Sequence, residues 1–159
     1  MSSTHFNSDG EARMVDVSQK PTTTRAATAE ACIVMLAGTL EMIQRGTHKK
    51  GDVLAVARLA AIMATKQTQQ LIPLCHAIPI EAVEVTFTPD TETALLACRV
   101  TVRTTAKTGV EMEAMTGAAM AALTVYDMCK SVDRDMEVRA VRLLAKTGGK
   151  SGDYQRDSD

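Results

Sequence analysis

The sequence predicts an α+β domain in which helices pack on one face of an antiparallel sheet. Segments with helical apolar spacing are interleaved with segments in which apolar and polar residues alternate at every second position. Two alternating segments follow one another across a short turn, which indicates a hairpin. The 159 residues suffice for one compact domain and are too few for two ordinary ones. We therefore expect a ferredoxin-like βαββαβ domain.

The N-terminal elements are the most ambiguous. Residues 1–13 are polar and expected to be flexible, whereas residues 14–17 suggest a short strand. Residues 24–36 are rich in Ala and Glu, as helices are, yet their apolar residues alternate as in a strand. As a strand they complete the βαββαβ order. Thr39 is placed to cap a short helix that ends at Arg45.

The elements that follow have clearer patterns. Residues 51–72 predict a long helix with Asp52 as its N-cap, and its apolar residues lie on nearly every side, so it should pack on two faces. Residues 80–88 and 95–105 predict a hairpin with Pro89 and Asp90 in its turn.

The last elements complete the order. Thr108 and Glu111 have the spacing of a capping box, and a helix follows to about Val132. Residues 137–146 predict the last strand, with a glycine-rich loop after it. We expect one domain over residues 14–154 and a flexible tail at 155–159.

Composition limits the classes of partner. The net charge of −1 and the presence of only two Phe, two Tyr and no Trp disfavour nucleic-acid binding. No segment predicts a membrane span or a secretory signal, so we expect a soluble cytoplasmic protein. The four cysteines form no C-x-x-C pair, and the three histidines have no metal-ligand spacing. We therefore expect no metal site and reduced, mostly buried thiols.

The helix after Glu111 carries a polar stripe on an otherwise apolar rod. Glu113, Thr116, Thr124, Asp127 and Ser131 fall on one side at 100° per residue, and Lys130 is three residues from Asp127. This polar stripe is either the solvated face of the helix or part of a functional site. A neighbouring cation lowers the pKa of a carboxylate and desolvation lowers that of a lysine, which suits an acid–base pair. Glu113 and Asp127 are separated by about 21 Å along the axis, so they serve either one large ligand or a site between subunits.

Lysines and glycines indicate an anionic ligand. Lys50 precedes a helix N-terminus, and Lys146 and Lys150 flank Gly148 and Gly149. The loop is not a P-loop, because position 144 is Leu and too few residues follow for a helix. A phosphate-binding loop and a flexible basic tail remain as alternatives.

Six motifs, in order over residues 12–154, resemble the MoaC family, the cyclic pyranopterin monophosphate synthases of molybdenum cofactor biosynthesis. The motifs are M-V-D-V-S-x-K (14–20), K-K-G-D (49–52), I-P-L-C-H (72–76), K-T-G-V-E-M-E-A (107–114), Y-D-M-C-K (126–130) and L-L-A-K-T-G-G-K-S-G-D (143–153). The resemblance implies a ferredoxin-like subunit in a homohexamer, a trimer of dimers with active sites at the dimer interfaces. It implies a lyase that converts 3′,8-cyclised dihydro-GTP, the product of the preceding radical SAM enzyme MoaA, into cyclic pyranopterin monophosphate and pyrophosphate. No redox cofactor is implied, and magnesium would be an optional companion of the triphosphate.

The resemblance also assigns roles. It implies an acid–base Asp127 with Lys130 as its partner, and substrate contacts from Leu74, Cys75, His76, Met112 and Glu113. The lysines expected near the phosphates are Lys50, Lys146 and Lys150. Ala77 stands where the family usually has Pro, which leaves the loop less rigid, and motif 14–20 receives no role. The rival classes are a non-catalytic nucleotide-binding module and a structural oligomer.

Overall fold

A computed structural model describes residues 5–7, 9–150 and 152–157. Parts of the segments predicted to be flexible, at 1–13 and 155–159, lie outside these ranges, and so does Ser151. The elements in chain order are β1 (Thr23–Val34), α1 (Ala37–Gln44), α2 (Val53–Leu71), β2 (Ala82–Asp90), β3 (Leu95–Ala106), α3 (Glu111–Cys129), β4 (Glu137–Thr147) and β5 (Tyr154–Gln155).

The five strands form one sheet in the order β2-β3-β1-β4-β5, and every neighbouring pair is antiparallel. The helices pack against the sheet, so the predicted ferredoxin-like α+β class is confirmed. Residues 24–36 are a strand for most of their length, because β1 lies between β3 and β4 and pairs with both. Among the described residues, no helix has the combination of length and apolar character needed to cross a bilayer.

Small residues let α3 lie close to the sheet and to α2. Ala27, Ala29 and Ala31 of β1 are fully buried on the helix side of the sheet, opposite Val102, Val100 and Cys98 of β3. On α3, alanines and one glycine provide the matching surface, namely Ala114, Gly117, Ala118, Ala121 and Ala122. A Cβ at Gly117 would lie 2.9 Å from Thr65 Cγ2 and 3.3 Å from the carbonyl oxygen of Ala61. Since α3 is held so closely, its two ends are fixed relative to the rest of the chain.

The start of α1 was predicted wrongly. The helix begins at Ala37, and its N-cap is Leu36 rather than Thr39. Asp133, 94 residues from Thr39, accepts hydrogen bonds from the Leu36 N–H at 2.8 Å and from the Thr39 hydroxyl at 3.1 Å. A distant carboxylate therefore binds the donors that a local cap would have bound.

Three other predictions about the elements differ from the structure. Pro89 and Asp90 end β2 instead of forming the turn, and the Asp90 carboxylate binds the N–H groups of Glu92 and Thr93 in the turn itself. Pro89 is tolerated because β2 is an edge strand. Helix α3 ends at Cys129, so Ser131 lies beyond the polar stripe. Residues 14–17 form no strand.

The close contact at Gly117 gives a test of the packing. Gly117→Ala should lower the free energy of unfolding by about 1–3 kcal/mol, because the new methyl group overpacks the α2–α3 contact. Gly38→Ala is the matched control, since no atom lies within 4 Å of a Cβ built there. That change should stabilise α1 by about 0.5–1 kcal/mol. Denaturant unfolding measures both, and equal stabilisation by the two changes would contradict the packing described here.

Candidate active site

The predicted site residues form two clusters at opposite ends of α3. The N-terminal cluster comprises residues near the start of α3 and around the glycine loop, namely Leu74, Cys75, His76, Met112, Glu113, Lys146 and Lys150. The C-terminal cluster comprises Lys50, Asp127 and Lys130. The polar stripe is therefore not a uniformly solvated face, because Glu113 is only 4% exposed whereas Asp127 is open to solvent.

A first cavity of about 290 Å³ lies at the N-terminal cluster and is lined by Leu74, Cys75, His76, Met112 and Glu113. Burial raises the pKa of the Glu113 carboxyl above its ordinary value, and the nearby charge of Glu111 raises it further. Burial also raises the pKa of the Cys75 thiol, with a further contribution from Glu113. The raised pKa keeps the Cys75 thiol protonated, so this side chain is unsuited to act as a nucleophile.

A second cavity of about 650 Å³ adjoins the first and shares Lys20, Thr108, Gly109 and Glu111 with it. Its walls carry four cationic side chains, from Lys20, Arg25, Lys107 and Lys150. Of these, only Lys150 was predicted as a site residue. Lys20 and Lys107 belong to motifs quoted from the sequence, but their convergence depends on folding.

Arg25 joins the segments around this second cavity. Its Nε donates to the carbonyl of Ala106 at 3.0 Å and its Nη2 to that of Lys107 at 3.3 Å. A Cβ at Gly149 would collide with the Arg25 guanidinium, and one at Gly148 with a carbonyl oxygen of β1. Both glycines have φ near +80°, which L residues rarely adopt.

The glycine loop is a structured turn rather than a flexible basic tail over its described residues. It connects β4 to β5, where Lys146 pairs with Tyr154. The Gly148 N–H donates to the Asp153 carboxylate at 3.1 Å, which holds the two ends of the turn together. Lys150 is thereby presented to the second cavity.

The predicted capping box does not form. The N-cap of α3 is Val110, and no side chain caps it. The Glu111 carboxylate lies 3.6 Å from Lys146 Nζ instead. Gly109 permits this arrangement, because a Cβ there would collide with the Glu111 carboxylate. Glu111 therefore pairs with a lysine of β4 and lines both cavities.

The C-terminal cluster contains an exposed ion pair. Lys130 Nζ donates to Asp127 Oδ1 at 2.6 Å, and Lys50 Nζ donates to the Asp127 carbonyl at 3.5 Å. The hydrogen bond and charge of Lys130 lower the pKa of Asp127, and Asp127 in turn raises the pKa of Lys130. Desolvation acts to lower the pKa of Lys130, as expected, but the hydrogen bond and charge of Asp127 outweigh it, so the net shift is upward. The buried His48, which sequence reasoning missed, accepts from the Lys50 N–H at 3.0 Å and so fixes the backbone there.

The described residues contain no group of three or more His, Cys, Asp or Glu side chains arranged to hold a metal ion. Cys32, Cys98 and Cys129 are buried free thiols, as predicted, and Cys75 is half-buried. The fold and the two cavities define a class: a ferredoxin-like protein with a cationic cavity beside a cavity that contains a buried carboxylate.

The chain belongs to the MoaC family, whose model matches residues 14–149. A cyclic pyranopterin monophosphate synthase of Rhodopirellula baltica is 58% identical and covers 98% of this chain and 94% of its own length. One from Nostoc is 55% identical over 95% of this chain and 90% of its own length, and one from Chloroflexus aggregans is 53% identical over 96% and 93%. The resemblance inferred from the six motifs is confirmed.

Because Glu113 is buried, replacing its carboxylate with a neutral amide should stabilise the protein in a pH-dependent way. Because its pKa is raised on folding, ionisation costs stability as the pH rises from the unfolded pKa, about 4.3, through the folded value. Glu113→Gln should therefore melt above the wild type at pH 7, and the difference should disappear below pH ~4.

The exposed Glu84→Gln is the control and should change melting little at either pH. Equal melting of Glu113→Gln and wild type across this range, measured by calorimetry, would show that Glu113 carries no desolvation cost.

Proposed function

We propose that this protein is a cyclic pyranopterin monophosphate synthase. It converts (8S)-3′,8-cyclo-7,8-dihydroguanosine 5′-triphosphate into cyclic pyranopterin monophosphate and pyrophosphate, an early step of molybdenum cofactor biosynthesis. The observation that carries the proposal is the family match over nearly the whole chain, together with two adjoining cavities suited to the two ends of such a substrate.

The cationic cavity suits the triphosphate. Its walls include Lys20, Arg25, Lys107 and Lys150. Lys146 forms an ion pair with Glu111, which is another residue of the cavity wall. The fold already positions these lysine and arginine side chains. They therefore need no reorganisation when negative charge moves onto the leaving pyrophosphate. Arginine adds a planar donor fork that matches phosphate oxygens.

The first cavity suits the guanine-derived ring. An ionised carboxylate accepts hydrogen bonds from two neighbouring N–H groups, so Glu113 can bind the amide and amino N–H groups of that ring. The desolvation cost that raises its pKa is offset when a ligand supplies those donors. Leu74 and Met112 provide apolar contact beside it.

The proposed reaction requires proton transfer and formation of a cyclic phosphate. A ribose hydroxyl attacks the α-phosphorus and loses its proton to a base, while the bond to pyrophosphate breaks. This makes the enzyme a phosphorus–oxygen lyase. We assign proton transfer to Asp127 and Lys130, whose 2.6 Å hydrogen bond couples a carboxylate to an ammonium group.

The two clusters are brought together between subunits. Asp127 is about 21 Å from Glu113 along α3, so the C-terminal cluster of one chain completes the N-terminal cluster of another. Exposed apolar side chains on α2 and α3 provide contact surface for a second copy, namely Val56, Leu59, Met63 and Leu123. The assembly is a homohexamer built as a trimer of dimers, located in the cytoplasm and supplied by the radical SAM enzyme MoaA.

Incubation of purified protein with the cyclised dihydro-GTP tests the proposal. The expected result is pyrophosphate together with a pterin that fluoresces after oxidation. Saturable binding without turnover would instead indicate a non-catalytic module, and no specific nucleotide binding would indicate a structural oligomer.

The role of Asp127 gives a separate prediction. Asp127→Asn keeps the shape of the side chain and removes its base, so kcat should fall by about 10²- to 10⁴-fold while the assembly stays intact. Glu137→Gln is the control, because Glu137 is also an exposed carboxylate with a cationic neighbour, Arg139. Steady-state kinetics and size-exclusion chromatography measure both, and near wild-type turnover by Asp127→Asn would remove Asp127 from the reaction.

A further inference from the structure

Residues 14–20, called the strap, have no role in the account so far. Residues 14–17 of the strap form no helix or strand and residues 18–20 form a turn, with Val15 and Val17 half-buried and their neighbours exposed. Val15, Val17 and Lys20 line the first cavity together with Cys75, His76 and Glu113. Loop segments that line a cavity on a rigid scaffold often carry the groups that bind a ligand.

Two hydrogen bonds attach the strap to the site. The carbonyl of Val15 lies 2.7 Å from His76 Nε2, and the carbonyl of Ser18 accepts from Lys107 Nζ at 2.6 Å. Two local hydrogen bonds shape the strap between these points. The Ser18 N–H donates to Asp16 Oδ1 at 2.8 Å, and the Lys20 N–H donates to the Val17 carbonyl at 3.0 Å.

The contact with Val15 fixes the tautomer of His76. A carbonyl oxygen can only accept, so Nε2 must carry the hydrogen that is shared with Val15. In the neutral ring, Nδ1 then holds the free lone pair. A carbonyl partner of this kind sets ring orientation and tautomer, and thereby decides which nitrogen can take a proton.

We propose that the strap is a positioning element that closes the first cavity and holds His76 as its Nε2–H tautomer, leaving Nδ1 to accept a proton or hydrogen bond from the substrate. The strap also carries Lys20 to the boundary of the two cavities, which both include it in their walls. Lys20 is therefore a further contact for the phosphates when the strap is closed. This inference rests on the proposed function for its substrate, but its geometry can be tested without turnover.

The first test loosens the strap at Lys107. Lys107→Met removes the donor to Ser18, and Lys107→Arg keeps one. In the full-length protein without substrate, backbone amides of residues 16–20 should exchange with deuterium about tenfold faster in Lys107→Met, and Lys107→Arg should restore slow exchange. Unchanged exchange in Lys107→Met would overturn the attachment.

The second test separates the two ring nitrogens of His76. The amide nitrogen of His76→Gln can occupy the Nε2 position and donate to Val15, whereas that of His76→Asn reaches only the Nδ1 position. Exchange at residues 16–20 should stay slow in His76→Gln and rise in His76→Asn. The reverse order, or no difference between the two variants, would contradict the proposed contact.

The tautomer itself is visible by ¹⁵N NMR of histidine-labelled protein, with the His76 signal assigned from its absence in His76→Gln. The wild type should show a single Nε2–H tautomer at neutral pH, and Lys107→Met should show a mixture. An Nδ1–H tautomer in the wild type would overturn the proposal. None of these readouts depends on catalysis, so they distinguish failure of the strap from failure of the proposed activity.

Discussion

Close packing of α3 against β1 and α2 is the constraint on which the rest of the structure depends. Alanines of β1 and Gly117 of α3 remove the side chains that would otherwise separate these elements. The helix is thereby a rigid spacer with Glu113 near one end and Asp127 near the other. Since about 14 residues of α-helix span about 21 Å, the proposed site takes its two carboxylates from two chains.

The two ends of α3 have opposite electrostatic character, and each follows from its surroundings. At the N-terminal end, burial keeps the pKa of Glu113 raised, so a ligand with N–H donors can offset its desolvation. At the C-terminal end, Lys130 keeps the pKa of Asp127 low, so the carboxylate is ionised and available as a base. The proposed reaction uses the first end to bind the ring and the second to move protons.

Features that depend on residues close together in the sequence could be predicted from local patterns. Alternation predicted β2 and β3, and Asp52 was predicted as the N-cap of α2, where its carboxylate accepts from the Ala55 N–H. Three-residue spacing predicted the contact between Asp127 and Lys130. Contacts between distant segments could not be predicted in this way. Asp133 caps α1 from 94 residues away, and Arg25 meets Ala106 across 81 residues through sheet register. The convergence of Lys20, Arg25 and Lys107 also depends on contacts between distant segments. The same is true of the contact between the strap and His76.

Mixing of two variants, each expected to lack turnover under the proposed function, tests most directly whether the site is shared between chains. Glu113→Gln and Asp127→Asn chains carrying different tags are coexpressed, and the mixed assemblies are purified through both tags. If each site takes Glu113 from one chain and Asp127 from its partner, about a quarter of the sites in a random mixture regain both residues and turnover returns to about that fraction. Mixed assemblies no more active than either variant alone would show that the two residues act within one chain, and the account of a shared site would be wrong.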